Sequence, residues 1–215
     1  MSAARTAVLI SGSGTNLQAF IDRAAAGSLN ATLALVLSNR SDAYGLVRAT
    51  DAGLPTAVVD HRDYPSRETF DRDIAERLIA HDVELIVLAG FMRILSPWFV
   101  GRYIGRLLNV HPALLPRYPG LDTHQRVLDS GDRMHGSTVH FVTEELDAGP
   151  SILQGRLTVA PSNNAAELAH RVQAIEHRIY PEALDWLASG RLRYSEGRAV
   201  LDGEVLDSPV LRDFD

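Results

Sequence analysis

The amino-acid sequence predicts an α/β fold in which helices cover a doubly wound, mostly parallel sheet. Short apolar runs recur along the chain, helix-like stretches separate them, and small or polar residues end each run. The runs are continuously apolar rather than alternating, which is typical of parallel strands buried on both faces. Strands that alternate with helices imply right-handed crossovers. The predicted parallel strands are TAVLIS, TLALVLSN, TAVVD, ELIVLAG and RLLNVH.

The stretches between these strands carry helix signals at their ends. NLQAFIDRAAAG ends in Gly27 and AYGLVRATDAG ends in Gly53, and glycine commonly follows the last turn of a helix. Ser66 is a suitable N-cap for the next helix, although Thr69 at the third position leaves the capping box incomplete.

The last third of the chain departs from this alternation. STVHFVT predicts a further strand before an acidic loop. From about Ser162 the sequence predicts one long helix or two, with Pro181 expected to kink or break it. The tail predicts a small hairpin that turns at Glu196 and Gly197. We therefore expect a small C-terminal helix and hairpin extension.

Composition restricts the class of protein. The 215 residues fit one domain, and 46% hydrophobic with 22% charged residues is typical of a globular chain. No apolar run approaches the ~20 residues of a membrane helix, and the amino terminus lacks the pattern of a secretory signal. The net charge of −6 argues against nucleic acid as a partner, and the absence of cysteine fits the cytoplasm.

The glycine-rich turn after the first strand, SGSGTNLQAF, predicts a site for one phosphate group. Gly12 and Gly14 allow positive φ angles and a close approach of the backbone, and Thr15 and Asn16 can cap the helix that follows. The turn lacks the Gly-Lys-Ser/Thr ending of a Walker A loop, and Leu17 stands where a dinucleotide-binding loop has its third glycine. The alternative is that the glycines only make a tight turn.

A second polar set follows the fifth strand. In open α/β sheets, ligands bind beyond the carboxyl ends of the strands, where NVHPALLPRYPGLDTH begins. Asn109, His111 and the later Asp147 together suit attack on a carbonyl group. An asparagine N–H can donate to a developing oxyanion, and a carboxylate can orient and stabilise a protonated histidine. The three prolines of this loop would hold such groups still.

Each of these residues also has a structural alternative. His111 could hydrogen-bond a loop carbonyl, Asn109 could form a turn, and Asp147 could cap a loop. No Gly-x-Ser-x-Gly elbow indicates a covalent acyl-enzyme. No metal is expected, because His124, His135 and His140 lack the spacing of a metal site.

Five blocks together resemble the folate-dependent glycinamide ribonucleotide formyltransferases of purine biosynthesis. The resemblance covers nearly the whole chain and implies a Rossmann-like formyltransferase fold over residues 1–215, with a phosphate-binding half up to about residue 100 and a catalytic, folate-binding half from about 101. It also implies formyl transfer from 10-formyltetrahydrofolate to the amino group of the ribonucleotide, without metal, in a monomer or homodimer. The blocks are SGSGTNLQAF, LAGFMRILSP, NVHPALLPRYPGLDTH, HGSTVHFVTEELDAGP and VQAIEHRIYP.

The resemblance assigns roles residue by residue. The catalytic set is Asn109, His111 and Asp147. The ribonucleotide-binding set is Gly14, Thr15, Asn16, Gln173 and Glu176. The folate-binding set is Arg67, Met92, Arg93, Ile94, Leu95, Asn109, Thr143, Glu144 and Asp147.

One position departs from the family pattern. Asp122 stands in GLDTH where the family often has histidine, while His124 is retained. An extra carboxylate here could change proton affinities near the site, and His124 is expected to support the site from behind the catalytic residues.

Three alternatives to this function differ in the acceptor or in the class of protein. A 10-formyltetrahydrofolate deformylase would use a similar Asn-His-Asp set with water, but usually carries an extra amino-terminal domain, whereas this chain begins at the first strand. A methionyl-tRNA formyltransferase adds a tRNA-binding domain. A non-catalytic nucleotide-binding module would use only the glycine loop and would leave the Asn-His-Asp set unexplained.

Overall fold

The structure is a computed structural model that describes residues 3–160 and 162–214. Its strands are β1 (Ala4–Ile10), β2 (Ala31–Ser38), β3 (Thr56–Val58), β4 (Leu85–Leu88), β5 (Leu107–His111), β6 (Met134–Phe141), β7 (Ser151–Thr158), β8 (Leu192–Ser195), β9 (Arg198–Leu201), β10 (Glu204–Val205) and β11 (Val210–Asp213). Its α-helices are α1 (Thr15–Ala25), α2 (Tyr44–Asp51), α3 (Arg67–Ala80), α4 (Pro97–Arg102), α5 (Thr123–Ser130) and α6 (Ala165–Ala188).

Eight strands form one twisted sheet in the order β11-β7-β6-β5-β4-β1-β2-β3. Strands β1 to β5 are mutually parallel, β6 runs antiparallel to both β5 and β7, and β11 pairs with β7 in parallel. The predicted doubly wound, mostly parallel fold is therefore confirmed. Because the order reverses between β1 and β4, the carboxyl ends of these two strands flank a crevice, where ligands bind in open α/β sheets.

The apolar core has one cluster on each face of the sheet. Along β1, Val8 and Ile10 pack in the cluster that includes residues of α1 and α6, whereas Ala7 and Leu9 pack with residues of α3 and α4. Burying each large side chain stabilises the fold by ~1.5–3 kcal/mol. A strand covered on both faces has no solvent side, which explains why its sequence is a continuous apolar run.

The ends of the first two helices are as predicted. Gly27 and Gly53 follow α1 and α2 with φ angles of 66° and 69°. The amide of Ser28 donates to the carbonyl of Arg23 at 2.9 Å, which is the six-to-one bond of a Schellman motif. The prediction for α3 was wrong in one detail, because the Thr69 hydroxyl completes the capping box with Ser66.

Of the two alternatives for the C-terminal region, one long helix is present, and the expectation that Pro181 breaks it was wrong, because α6 continues through this residue. A proline in a helix interior costs ~3 kcal/mol. Tertiary packing offsets this cost, since the preceding residue, Tyr180, is fully buried. Its hydroxyl lies 3.1 Å from the carbonyl oxygen of Leu88 and 3.0 Å from that of Leu108, which ties α6 to β4 and β5.

The predicted hairpin is present as β8 and β9, with Glu196 and Gly197 at φ angles of 48° and 78°. Strand β7 carries Gly155, a residue that weakens a strand signal. A Cβ atom there would lie 2.1 Å from Ile175 Cγ2 of α6, so glycine allows the helix to approach the sheet. Sequence analysis did not predict β7, β10, β11, α4 or α5.

Candidate active site

The loop between β1 and α1 is held in one conformation by its glycine. Gly14 is the N-cap of α1 with a φ angle of 70°, and a Cβ atom there would lie 2.6 Å from Gly45 Cα. Gly12 does not use a positive φ angle, and neither Thr15 nor Asn16 caps the helix, in contrast to the sequence-based expectation. With no side-chain cap, the first N–H groups of α1 are available to an anion.

A cavity of about 620 Å³ lies at the carboxyl ends of β1 and β4, where the strand order reverses. All of the predicted ribonucleotide-binding residues and some of the predicted folate-binding residues line it. Val110 and Pro112 bring the end of β5 to the same cavity. The predicted site residues that line it are Gly14, Thr15, Asn16, Met92, Arg93, Gln173 and Glu176.

Ser11 connects three parts of this cavity, although it was predicted only as the last residue of a strand. Its hydroxyl donates to Asn39 Oδ1 at 2.5 Å and accepts from the amide of Met92 at 2.8 Å. The Asn39 amide in turn lies 3.2 Å from His61 Nδ1. These contacts hold the ends of β1 and β2 and the turn after β4 in register.

Asn109 is oriented by His140, which sequence analysis did not assign to the site. His140 Nδ1 lies 2.9 Å from the Phe141 carbonyl oxygen, which can only accept, so Nδ1 carries a proton. Burial lowers the pKa of His140, which favours the neutral ring, and in a neutral ring with its proton on Nδ1 the acceptor is Nε2. Nε2 lies 3.2 Å from Asn109 Nδ2. One amide N–H of Asn109 therefore binds His140, and the other is left for a ligand.

His111 and Asp147 form a buried ion pair beside Asn109. His111 Nδ1 lies 3.4 Å from Asp147 Oδ2, and both side chains are less than a tenth exposed. His111 Nε2 lies 2.8 Å from the Tyr118 carbonyl oxygen, and Gly120 donates its amide to Asp147 Oδ2 at 2.9 Å. Both ring nitrogens of His111 thus face acceptors, an arrangement that the protonated imidazolium satisfies.

The cluster predicted to be catalytic, Asn109, His111 and Asp147, adjoins the cavity without lining it. Asn109 and His111 alternate along β5 with Val110, so their side chains leave the strand on the opposite side from a residue that lines the cavity. The structure therefore brings Asn109, His111 and Asp147 together, as the sequence predicts. Asn109 and His111 are the strand neighbours of Val110, which lines the cavity of the predicted ribonucleotide-binding residues.

Two residues predicted on the folate side, Arg67 and Arg93, act electrostatically on the buried carboxyl of Asp71. Burial raises the pKa of Asp71, while the amide of Ser96, which donates to it at 2.5 Å, and the charges of Arg67 and Arg93 oppose that rise. Of the remaining segment, Leu95 is buried, whereas Met92 and Ile94 are 66% and 58% exposed. Large exposed apolar side chains beside Arg93, together with Arg67 of α3, suit a ligand that is part ring and part carboxylate.

Thr143 and Glu144 begin the acidic loop that ends at Asp147. The Thr143 hydroxyl lies 3.4 Å from the Glu145 carbonyl oxygen, and Leu146 is 57% exposed. The loop therefore presents another exposed apolar side chain next to the catalytic carboxylate.

His124 lines the cavity, and its ring contacts the ring of His135. His124 Nδ1 and His135 Nε2 are 3.0 Å apart. Burial lowers the pKa of both, that of His135 to about 4. Asp122 is exposed at the start of α5 and is not among the groups that shift the pKa of His124.

Within residues 3–160 and 162–214, no group of three His, Asp or Glu side chains could hold a metal ion. In the same part of the chain, no helix is both long and apolar enough to cross a membrane.

Comparison with known proteins shows the family of this chain. Residues 4–184 match the family model described as formyl transferase. The chain belongs to the formyl transferase family. It is 49% identical over 199 residues to the phosphoribosylglycinamide formyltransferase of Escherichia coli K12, covering 93% of this chain and 94% of that protein. The corresponding enzyme of Haemophilus influenzae is 46% identical over 202 residues, or 94% and 95% of the two chains.

A solved structure agrees with these formyl transferase relatives. The phosphoribosylglycinamide formyltransferase of Coxiella burnetii superposes with a TM-score of 0.93 at 48% identity, covering 97% of this chain and 99% of that one. The resemblance drawn from the five sequence blocks is therefore confirmed, as are the formyltransferase fold and the prediction of a formyl-transferring enzyme.

Proposed function

We propose that the protein transfers the formyl group of 10-formyltetrahydrofolate to the amino group of glycinamide ribonucleotide. The observation that carries this proposal is the adjacency of an anion-binding helix N-terminus and its cavity to the Asn109, His111 and Asp147 cluster. Relatives that match over more than nine-tenths of the chain carry the name of this activity, which supports the same conclusion.

The ribonucleotide occupies the cavity between β1 and β4. Its phosphate accepts from the first N–H groups of α1, at Gly14, Thr15 and Asn16, where the helix dipole favours negative charge. Gln173 and Glu176 of α6 line the same cavity and bind the rest of the ribonucleotide. The position of Val110 in the wall directs the glycinamide amine toward the end of β5.

The folate binds on the other side of β5, between the turn after β4 and the acidic loop. Main-chain groups from Met92 to Leu95 contact its ring, and Arg67 and Arg93 lie near its carboxylates. Thr143, Glu144 and Asp147 close this side. The amino group of the ribonucleotide then meets the formyl carbon at Asn109.

The chemistry uses groups that are already oriented. As the amine attacks, the formyl oxygen gains negative charge and accepts the free N–H of Asn109. The imidazolium of His111 stabilises the same charge once its Nε2–H is released from the Tyr118 carbonyl, and Asp147 holds the ring through Nδ1. Asp147 accepts the proton that the attacking amine loses and passes it to the folate nitrogen. The bond between that nitrogen and the formyl carbon breaks as the oxyanion collapses, which releases tetrahydrofolate and the formylated ribonucleotide. Rigid placement of both substrates lowers the barrier by several kcal/mol.

The test follows absorbance of 10-formyltetrahydrofolate with and without glycinamide ribonucleotide. Turnover that requires the ribonucleotide is expected. Formate release without the ribonucleotide would mean that water is the acceptor, and no turnover under either condition would leave only nucleotide binding. The assignment of residues 1–215 to one formyltransferase domain, the monomeric or homodimeric state and the cytoplasmic location stay predictions.

A further inference from the structure

Glu176 is a buried acid without a cationic partner. It is 8% exposed, and no Lys, Arg or His of the described residues forms an ion pair with it. Its Oε2 accepts from Asn16 Nδ2 at 2.9 Å, and its Oε1 lies 3.1 Å from the Ser137 hydroxyl oxygen. A carboxylate this buried is costly unless a cation or several donors compensate its charge.

The Ser137 hydroxyl stands between two oxygens but has one hydrogen. Its oxygen lies 2.8 Å from the His111 carbonyl oxygen, which can only accept, and 3.1 Å from Glu176 Oε1. The shorter distance is the usual length of an O–H···O bond, so the Ser137 hydrogen points to His111. A hydrogen between Ser137 and Glu176 must then come from the acid itself.

We propose that Glu176 is a neutral carboxylic acid in the enzyme without bound ligands and that Ser137 is a positioning residue, which accepts this proton and donates its own to the main chain of His111. The hydrogen bonds thus run in one direction from α6 through β6 to the catalytic strand. This inference rests on the proposed function for the phosphate that shares the cavity with Glu176 and for its consequence in turnover, and on the hydrogen-bond geometry for the rest.

The chemistry of the cavity favours a neutral acid at this position. Glu176 lines the same cavity as Gly14 and Thr15, where the phosphate is proposed to bind, so a carboxylate there would repel the phosphate. Burial raises the pKa of Glu176 above its ordinary value, and this effect exceeds the opposing effects of the contacts with Asn16 and Ser137. Asn16 links the phosphate loop to Glu176, because it belongs to that loop and its side-chain amide donates to the carboxyl group of Glu176.

The other titratable groups around Glu176 do not supply a counter-charge. The groups that share its cavity, its helix and the face of β6 behind it make no ion pair with it within the described residues. Burial lowers the pKa of two of them, His124 and His135, so these two titrate on the acid side of their ordinary value. The groups are Arg40, His61, Arg93 and His124 in the cavity, Tyr180 on α6 and His135 on β6.

Infrared spectroscopy of the full-length protein tests the protonation state without reference to activity. The difference spectrum between wild type and Glu176→Gln at pH 7 should contain the C=O stretching band of a protonated carboxyl group. Subtraction removes the contribution of Asp71, the other buried acid whose pKa is raised. Absence of the band would overturn the proposal. If Glu176→Gln does not fold, carboxyl-¹³C glutamate in the wild type identifies the band and leaves Asp71 unlabelled.

Ser137→Ala decides the direction of the hydrogen bond. If Ser137 accepts from the neutral acid, its removal destabilises that form, and the acid dissociation constant of Glu176 rises about three- to tenfold. If Ser137 instead donates to a carboxylate, the constant falls, and the proposal is wrong. Thr138→Val is the matched control, because it removes a hydroxyl one position along β6 that bonds Ala113 and Leu115 instead. The acid dissociation constant of Glu176 in the Thr138→Val protein should equal that in wild type.

Turnover separates this inference from the proposed function. Ser137→Ala should also lower kcat about three- to tenfold, because the main chain of His111 loses a donor. A protein with no transfer activity could still show the infrared band, and an active enzyme could lack it. The two failures are therefore distinguishable.

Discussion

Replacement of Asn109 by alanine tests the proposed oxyanion donor most directly. Asn109 has two amide N–H groups, and the 3.2 Å contact to His140 Nε2 occupies one of them. Alanine therefore removes one donor from the reacting oxygen, and one such donor is worth ~10²–10³ in rate, or ~2.7–4 kcal/mol. Because Asn109 is only half-buried at the end of β5, the fold should survive.

The role of His140 is tested with two substitutions of similar size. His140→Leu removes the acceptor that orients Asn109, so kcat should fall about tenfold. His140→Gln keeps an oxygen near the position of Nε2 and should be faster than His140→Leu. In the Asn109→Ala background, His140→Leu should add less than about a further factor of two, because the group that it orients is gone.

The assay is the absorbance change of 10-formyltetrahydrofolate at saturating ribonucleotide, with thermal unfolding as a check on folding. An Asn109→Ala enzyme within tenfold of wild type would refute the oxyanion role. Fully multiplicative effects of Asn109→Ala and His140→Leu would refute the orienting contact, even if each substitution alone slowed turnover.

Three further predictions concern the phosphate loop, the core and acid stability. Gly14→Ala should raise the ribonucleotide KM at least tenfold and lower the unfolding temperature, because its Cβ would lie 2.6 Å from Gly45 Cα at a positive φ angle. Gly12→Ala, which meets nothing within 4 Å, should lower that temperature less. Phe20→Ala should cost ~3–5 kcal/mol in urea unfolding, since Phe20 is fully buried with its ring 5.0 Å from that of Tyr180, and a cost below ~1 kcal/mol would contradict this packing. The folded-state pKa of His135 is lowered from 6.5 to about 4, so the unfolded chain binds the proton first and stability should fall as pH drops from about 6.5 to 4. His135→Gln should reduce that loss, and an unchanged pH dependence would show that other groups cause it.

The sequence allowed accurate prediction where a local rule has one physical cause. Parallel strands covered on both faces require continuous apolar runs, so β1 to β5 were predictable. A helix that ends in a left-handed residue favours glycine, so Gly27 and Gly53 marked the ends of α1 and α2. Asn109 and His111 are predicted as site residues because strand ends form the ligand edge of such sheets, and both lie at the end of β5.

Local rules failed where distant residues decide the outcome. Pro181 stays inside α6 because Tyr180 anchors the helix to β4 and β5, contacts that lie 92 and 72 residues away in sequence. Strand β7 was missed because Gly155, a weak strand residue, is required by the close approach of α6. Neither cause is visible in the residues next to the affected position.

The sequence alone thus determined the strand pattern and the formyl transferase family, and it predicts the phosphate loop and the set of Asn109, His111 and Asp147. Only the tertiary structure decided how these groups are held. His140 and Ser137 look like ordinary strand residues, and their partners lie on other elements of the fold. Hydrogen-bond direction and proton position depend on which atoms face each other across the sheet, and those distances exist only once the chain has folded.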